Sequence, residues 1–321
     1  MTNPSELDPG DVEDAFWVPG LEAEASLDEA LAMVRRSPNH RVLTRMSVPK
    51  VYGQIQAPIR RGVVLDLETT GTDTDTARII ELGLVAFEYD DHGRIGSVMD
   101  RHSWRNDPGE PLEPEIVEIT GLTDADLAGQ RIDWAAVLGF LKSADLIVAH
   151  GAHFDRPIAE RGFADDLPGL LDRIPWACSR ADIPWSSFGV RGQKLEYLAH
   201  LHGFFFEGHR AADDAGATLH LLAQPCMSRD FLDVARTNFS YLIDSLKRTV
   251  YKVYALGAPF PKKDRLKQRG YHWNADAKYW YTYAVDIPAE QKWLKAKIYR
   301  GMEFGAKMAP VSRLDMYSTR G

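Results

Sequence analysis

The feature that most constrains the fold is a short apolar run that leads directly into a pair of acidic residues. Val63-Val64-Leu65 has the character of a buried strand, and Asp66-Leu67-Glu68-Thr69-Thr70-Gly71 follows it without interruption. Residues two apart in an extended strand point to the same face of the sheet. The pattern therefore predicts that Asp66 and Glu68 present paired carboxylates, while Leu67 packs against the opposite face.

The segments after this run alternate between strand and helix patterns. Alternating residues at 78–87 and 95–104 predict two further strands, and Leu146–Ala149 has the composition of a fourth. Helical patterns occur at 133–141, 156–161, 194–202 and 211–222. Strands followed by alternating strands and helices predict a mixed sheet with helices packed on it, an α/β architecture.

Three acidic segments fall at strand ends or helix starts of this architecture. Asp155 follows the strand Leu146–Ala149, where ligands of open α/β folds gather, and His209 and Asp214 lie around the start of the last body helix. Two neighbouring carboxylates repel each other unless they are protonated or share a cation, and hard oxygen ligands favour Mg²⁺ or Mn²⁺ over zinc. Each segment alone also has a structural interpretation, as a solvated pair, a helix cap or a chance spacing.

In this order, the three segments resemble the motifs of the DnaQ-like 3′→5′ exonucleases of the DEDDh type. The matching residues are Asp66-x-Glu68-Thr69-Thr70-Gly71, Phe154-Asp155 and His209-x4-Asp214. The segments 119–123 and 194–198 also resemble that family, and the resemblance covers about residues 60–224. One departure lies in the second motif, where Gly151 takes the place of an Asn in many relatives and His153 stands near the Asp.

The resemblance implies an RNase H-like mixed sheet flanked by helices and a phosphodiester hydrolase that uses two Mg²⁺ or Mn²⁺ ions. The implied metal ligands are Asp66, Glu68, Asp155 and Asp214. His209 is the implied general base. The expected contacts to the substrate are Thr69, Thr70, Gly71 and His153.

The implied reaction is the release of 5′-mononucleotides from the 3′ ends of DNA, single-stranded or frayed. Two alternatives stay open: a 3′→5′ exoribonuclease of the same superfamily, and a catalytically silent nucleic-acid-binding protein. The sequence indicates neither a particular polymerase or repair partner nor an oligomeric state.

Charge is distributed unevenly along the chain. Residues 241–321 contain 16 basic and 7 acidic side chains, a net charge of +9, whereas residues 1–240 contain 22 basic and 39 acidic ones, a net charge of −17. The total of −8 argues against a polyanionic partner, but its distribution predicts an acidic body with a basic appendage that can bind nucleic acid.

The basic appendage has the pattern of a small α+β module. Strand patterns at 250–256 and 278–285 and helical patterns at 264–268 and 288–301 support this prediction. Lysines and arginines alternate with Tyr and Trp, as suits a single strand whose phosphates meet cations and whose bases stack on rings. We therefore expect Lys263, Lys267 and Trp280 to contact nucleic acid. Packing or partner docking is the alternative, since a small domain needs its aromatics for a core.

The predicted organisation has six parts. They are an acidic flexible tail (1–25), an N-terminal helical extension (26–59), the exonuclease domain (60–228), a linking helix (229–249), the basic aromatic module (250–301) and a C-terminal tail (302–321). Two cysteines provide neither a disulfide framework nor a cysteine zinc site, and no apolar run is long enough for a membrane span. We therefore expect a cytoplasmic protein without membrane association.

Overall fold

The computed structural model describes residues 26–227, 236–275 and 277–320. The chain divides into two units, Met1–Thr44 and Arg45–Gly321. In the first unit, helix α1 (Leu27–Arg36) begins at a capping box formed by Ser26 and Glu29. The rest of the predicted helical extension, up to the strand that begins at Ile59, contains no further helix. The predicted acidic tail lies outside the described residues.

The remaining elements include those that the sequence patterns predict, with several short elements between them. The strands are β1 (Thr44–Arg45), β2 (Ile59–Thr69), β3 (Ile79–Asp90), β4 (Ile95–Arg105), β5 (Leu146–Ala149), β6 (Trp176–Cys178), β7 (Phe204–Phe205), β8 (Val250–Ala255), β9 (His272–Asn274), β10 (Tyr279–Ala284) and β11 (Ala306–Val311). The helices are α2 (Pro114–Thr120), α3 (Asp124–Leu127), α4 (Trp134–Leu141), α5 (Ala152–Gly162), α6 (Leu195–Leu201), α7 (Ala211–Ala223), α8 (Asn238–Leu246), α9 (Lys263–Gln268) and α10 (Ile287–Lys297).

The central sheet has five strands in the order β4-β3-β2-β5-β6. Strands β2, β3 and β4 are antiparallel neighbours, whereas β5 and β6 run parallel to β2. Helices cover both faces of this sheet, so alternate residues of β2 pack into two different cores. Val63 belongs to the core between the sheet and helices α4 and α5. Val64 belongs to the core between the sheet and helices α6, α7 and α8. The predicted α/β fold with a mixed sheet is confirmed.

The side-chain alternation of β2 decides where its two acidic residues point. Leu67 belongs to the same core as Val63 and Leu65. Asp66 and Glu68 therefore lie on the opposite face, the one that α7 covers. Their partners in the ladder to β3 are Gly83 and Glu81.

The C-terminal module is a four-stranded antiparallel sheet in the order β11-β8-β10-β9. Val253, Leu266, Trp280 and Leu294 form its core together with neighbours from α9 and α10. Strand β11 lies in the segment 302–321, which the sequence predicts to be a tail, so this part of the prediction is wrong. The linking helix is described from Asn238, and its predicted start near Phe231 lies outside the described residues.

Across the described ranges, every helix is too short or too polar to cross a membrane.

Candidate active site

Three carboxylates meet on the face of β2 that α7 covers. Ligand oxygens of Asp66, Glu68 and Asp214 all lie within 4.8 Å of one another. Asp214 comes from the first turns of α7, which packs closely against β3. A Cβ at Gly83 would lie 2.2 Å from the carbonyl carbon of Ala211, so this glycine permits the close approach.

Asp155 brings a fourth carboxylate to the same place from the first turn of α5. Its side chain is buried, and backbone N–H groups of Gly151 and Leu67 hydrogen-bond to it. Gly151 is the N-cap residue of α5, so Asp155 does not serve as the helix cap. The interpretation of Asp155 as an N-cap residue is therefore wrong. Its charge acts on Asp66 and Glu68, and Asp66, Glu68, Asp155 and Asp214 are here called the carboxylate cluster.

Burial raises the pKa of every member of this cluster, and repulsion from the other members adds to the increase at Asp66 and Glu68. Burial and then the charges of Asp214 and Asp155 raise the pKa of Asp66 well above its ordinary value. Burial and then Asp214 raise the pKa of Glu68 to about 8. Burial raises the pKa of Asp155 to about 7 and that of Asp214 to about 6, although backbone N–H groups lower both.

Within the described ranges, none of the four carboxylates forms an ion pair with a lysine or arginine. Buried carboxylates that lack a partner cation are costly to ionise. An all-oxygen set of this kind fits hard divalent cations such as Mg²⁺ or Mn²⁺. The donor set therefore agrees with the cofactor that the sequence predicts.

Glu81 is a functional residue that the sequence prediction missed. It is 1% exposed and lies opposite Glu68 in the β2–β3 ladder. Its carboxylate accepts hydrogen bonds from the Arg210 guanidinium at 3.2 Å and from the Ala211 N–H at 3.1 Å. Glu81 thus anchors the start of α7. The signal was an acidic residue within the apolar run Ile79–Val85, since glutamate is almost never fully buried unless it is paired.

The neighbouring acidic residue, Asp213, points away from the cluster. It forms an ion pair with Arg101 of β4, and Arg101 also donates to the carbonyl of Ala212. Asp213 is therefore part of a surface ion pair and not of the carboxylate cluster. Arg101 and Glu81 hold the first turn of α7 from two sides, which orients Asp214.

His209 lies immediately before α7 and is exposed to solvent. Its backbone has a φ of 66°, the left-handed conformation that few non-glycine residues adopt. Its charge lowers the pKa of Asp214, so the imidazole is close to the carboxylate cluster. The structure therefore brings together His209 and the four carboxylates.

The loop after β2 holds the residues expected to contact the substrate. The Thr69 hydroxyl donates to the Gly71 carbonyl at 2.7 Å, and the Thr70 hydroxyl accepts the Arg78 N–H at 3.0 Å. Both hydroxyls therefore shape the loop. A Cβ at Gly71 would meet no atom within 4 Å, so the fold itself leaves space above this residue.

The His153 ring packs against the C-terminal module and is not free to contact a substrate. Its ring stacks on His272 of the module with centroids 4.0 Å apart, and Tyr317 lies edge-on at 4.6 Å. Burial, and then the proximity of His272, lower the pKa of His153 well below its ordinary value. The residue that departs from the family pattern therefore joins the module to the body.

The C-terminal segment completes the contact between body and module. This contact is here called the docking surface, and it is formed by His153, Arg156 and Asp182 of the body with His272, Arg313 and Tyr317. The fully buried Arg156 guanidinium donates to the carbonyls of Met316 and Leu314. Asp182 accepts from Arg313 at 2.8 Å and from the Tyr317 hydroxyl at 2.9 Å. Far from being a tail, this segment packs into the body core.

The expected nucleic-acid contacts of the module lie elsewhere. Trp280 is 8% exposed and packs in the module core, so its predicted stacking on a base is wrong. Lys263 lies over the Phe260 ring at 4.5 Å, and Lys267 is exposed on α9. None of the three lines either of the two large cavities beside the second motif.

Comparison with known proteins agrees with the geometry. A family model described as exonuclease, of the RNase T type, matches residues 63–222. The PolC-type DNA polymerase III of Halalkalibacterium halodurans is 37% identical over 201 residues, which cover 54% of this chain but 12% of that protein. The DNA polymerase III subunit epsilon of Aquifex aeolicus is 28% identical over 162 residues, covering 50% of this chain and 77% of that protein.

Two solved structures show the same kind of similarity. Exonuclease X in complex with 5′-overhanging duplex DNA is 19% identical, with a TM-score of 0.38 over 58% of this chain and 91% of that chain. Exonuclease I of E. coli with a dA16 oligonucleotide is 16% identical, with a TM-score of 0.40 over 60% of this chain and 48% of that chain. Through residues 63–222, this chain belongs to the exonuclease family within the DnaQ-like superfamily.

Proposed function

We propose that this protein is a divalent-metal-dependent 3′→5′ exonuclease that removes mononucleotides from the 3′ ends of DNA. The observation that carries the proposal is the carboxylate cluster: oxygens of Asp66, Glu68 and Asp214 lie within 4.8 Å of one another, and the charge of Asp155 acts on Asp66 and Glu68. All four pKa values are raised, and in the described part of the chain no lysine or arginine forms an ion pair with any of them. Such a cluster is unfavourable by itself and becomes favourable when it binds divalent cations.

Asp66, Glu68, Asp155 and Asp214 would hold two such ions. When bound, the ions supply charge neutralisation for the phosphate and for the attacking and departing oxygens of an in-line displacement. The exposed imidazole of His209 is at the edge of the cluster, where it can accept the proton of the attacking water. Glu81 and Arg101 keep Asp214 in position from behind.

The loop from Thr69 to Gly71 supports binding of the terminal nucleotide. Because no atom of the chain approaches the position of a Cβ at Gly71, a ligand can come close to the backbone there. The 3′→5′ polarity follows from the resemblance of the motifs to DEDDh exonucleases. The preference for DNA is supported by the curated relatives, which are named as DNA polymerase III proteins.

The test is digestion of a single-stranded DNA labelled at its 5′ end, with Mg²⁺ present and then removed by a chelator. A 3′→5′ exonuclease shortens the labelled strand stepwise, whereas attack from the 5′ end releases the label at once. Asp66→Asn and Asp214→Asn should abolish the ladder, and the control Asp165→Asn, at an exposed position outside the cluster, should retain it. Faster digestion of an RNA of the same sequence would favour the ribonuclease alternative.

A further inference from the structure

We propose that the cavity between the body and the module receives the unpaired strand upstream of the reacting nucleotide, with Arg180 and Arg248 contacting its phosphates. This inference rests on the proposed nuclease function and names the path of the substrate. It assigns a role to the module that does not depend on Lys263, Lys267 or Trp280.

Two large cavities flank the stacked rings of His153 and His272. One, of about 1060 Å³, is bordered by the loop Thr72–Asp75 after the first motif. The other, of about 930 Å³, begins at Gly151 and Phe154 of the second motif and reaches the module. Residues of the motifs, or next to them, line both cavities. The charge of the lining side chains therefore indicates which cavity suits a polyanion.

The two cavities differ in the net charge of the side chains that line them. Seven charged residues line the larger one, with acids in the majority: Asp73, Asp75, Glu160, Asp172, Arg161, Arg320 and Lys252. The smaller one has four arginines and a single acid: Arg180, Arg248, Arg269, Arg313 and Asp182. A phosphate backbone is attracted to a cationic lining, and therefore the smaller cavity is the better path.

Two of these arginines are already engaged within the protein. Arg313 pairs with Asp182 and donates to the Ser245 carbonyl, and Arg269 pairs with Glu290 at 2.8 Å. Arg180 and Arg248 are exposed, and among the described residues neither guanidinium forms an ion pair or hydrogen bond. They are the two cations of this cavity that can meet phosphates without breaking an existing bond.

The segment that carries Arg180 is held next to the second motif. The His150 ring uses both of its nitrogens, one at 2.8 Å from the Ser179 hydroxyl and the other at 2.8 Å from the Gln193 carbonyl. Trp185 donates its indole N–H to the Ser179 carbonyl at 2.8 Å. The position of Arg180 is therefore built into the fold, which lowers the entropic cost of binding.

The remaining lining suits a single strand. Phe154, Tyr241 and His272 provide rings beside the arginines. Alternating rings and cations are the features by which proteins hold unpaired strands, through stacking on bases and contacts to phosphates. A volume of about 930 Å³ is at the upper end of small-ligand sites, which leaves room for a segment longer than one nucleotide.

The test compares the wild-type protein with an Arg180→Gln/Arg248→Gln double variant on a single-stranded DNA of about twenty nucleotides, a blunt duplex and a dinucleotide. The matched control is Arg131→Gln/Arg173→Gln, which removes two exposed arginines outside both cavities. All four side chains are exposed, so thermal unfolding should be unchanged in both variants.

We expect KM for the long strand to rise about tenfold in the cavity variant, with kinetics on the dinucleotide unchanged. The slope of log affinity against log salt should fall by about 1.4, since each lost phosphate contact on a single strand contributes about 0.7. The control variant should match the wild type, and the cavity variant should lose nothing on the blunt duplex.

The outcomes separate this inference from the proposed function. If the wild type degrades none of the substrates, the proposed function is wrong. If the wild type is active and the cavity variant keeps its KM and salt slope on the long strand, the cavity is not the path. An equal loss on the dinucleotide or the duplex would also overturn the assignment.

Discussion

The carboxylate cluster and the docking surface both bury ionisable groups, but only the docking surface pairs them. Arg156 satisfies its guanidinium with Glu160 and two carbonyls, and Asp182 is paired with Arg313. In the carboxylate cluster, Asp66 and Glu68 are repelled by neighbouring carboxylates and have no ion-pair partner among the described residues, and their pKa values are raised. Of these two regions, the one with unbalanced charge is therefore the one where a divalent cation can neutralise it.

The largest expected effect comes from removing one acid of the cluster. Asp66→Asn should reduce Mg²⁺-dependent nuclease activity by at least about 10³-fold, measured as initial rates on single-stranded DNA. The same change should stabilise the metal-free protein, because folding then no longer has to protonate this carboxyl or bury its charge, while the side-chain shape is kept. A metal-free variant that unfolds at a lower temperature than the wild type would contradict this account of the cluster.

The opposite sign is expected at the docking surface. Arg156→Met should lower the free energy of unfolding by about 3–5 kcal/mol, because it breaks the ion pair of a fully buried guanidinium with Glu160 and leaves the Met316 carbonyl without its donor. Denaturant unfolding measures this change. The control Arg173→Met alters an exposed arginine and should change stability by less than about 0.5 kcal/mol.

The pH dependence of stability tests the raised pKa values of the cluster in the wild-type protein. A carboxyl whose pKa is raised by folding stabilises the protein at low pH, and that contribution is lost as pH rises through the raised pKa. The raised values of about 6 for Asp214, 7 for Asp155 and 8 for Glu68 place this loss mainly between pH 5 and 8.

The metal-free protein should therefore lose at least about 2 kcal/mol of stability between pH 5 and pH 8, since each carboxyl contributes about 1.4 kcal/mol per pH unit until its raised pKa is reached. Mg²⁺ should stabilise more at pH 8 than at pH 5, since protons compete with the metal for the carboxylates. Thermal unfolding with and without Mg²⁺ measures both effects, and the Asp66→Asn/Glu68→Gln variant should have a flatter profile. Stability of the metal-free wild type that rises across this range would show that the carboxylates are not repelled.

The smallest expected effect is at the ring stack between body and module. His272→Ala should cost about 1 kcal/mol, because it removes one aromatic contact to His153 while the arginine anchors remain. The change in unfolding free energy should be additive with a distant variant such as Arg131→Gln. Loss of more than about 3 kcal/mol would mean that the rings, and not the buried arginines, hold the module.

Local pattern was sufficient for most of the elements. The predicted helix at 211–222 is α7 (Ala211–Ala223), and the predicted strand at 95–104 is β4 (Ile95–Arg105). Helix α5 begins at Ala152, earlier than the predicted 156, because polar residues and Pro157 obscure its first turn. Strand β11 was missed because Ala306–Val311 is half exposed and contains Pro310 at the sheet edge.

The sequence, through its resemblance to the DEDDh exonucleases, predicted the members of the cluster. Spacing within β2 and the starts of α5 and α7 are local properties, and they bring Asp66, Glu68, Asp155 and Asp214 to one end of the sheet. Only the tertiary structure decided the roles of Glu81, His153, Trp280 and residues 312–320. Their roles depend on packing partners that local periodicity does not reveal, such as Arg210 for Glu81 and His272 for His153. Local periodicity indicates that a residue is buried, but the group that compensates a buried charge or covers an exposed ring is chosen by packing.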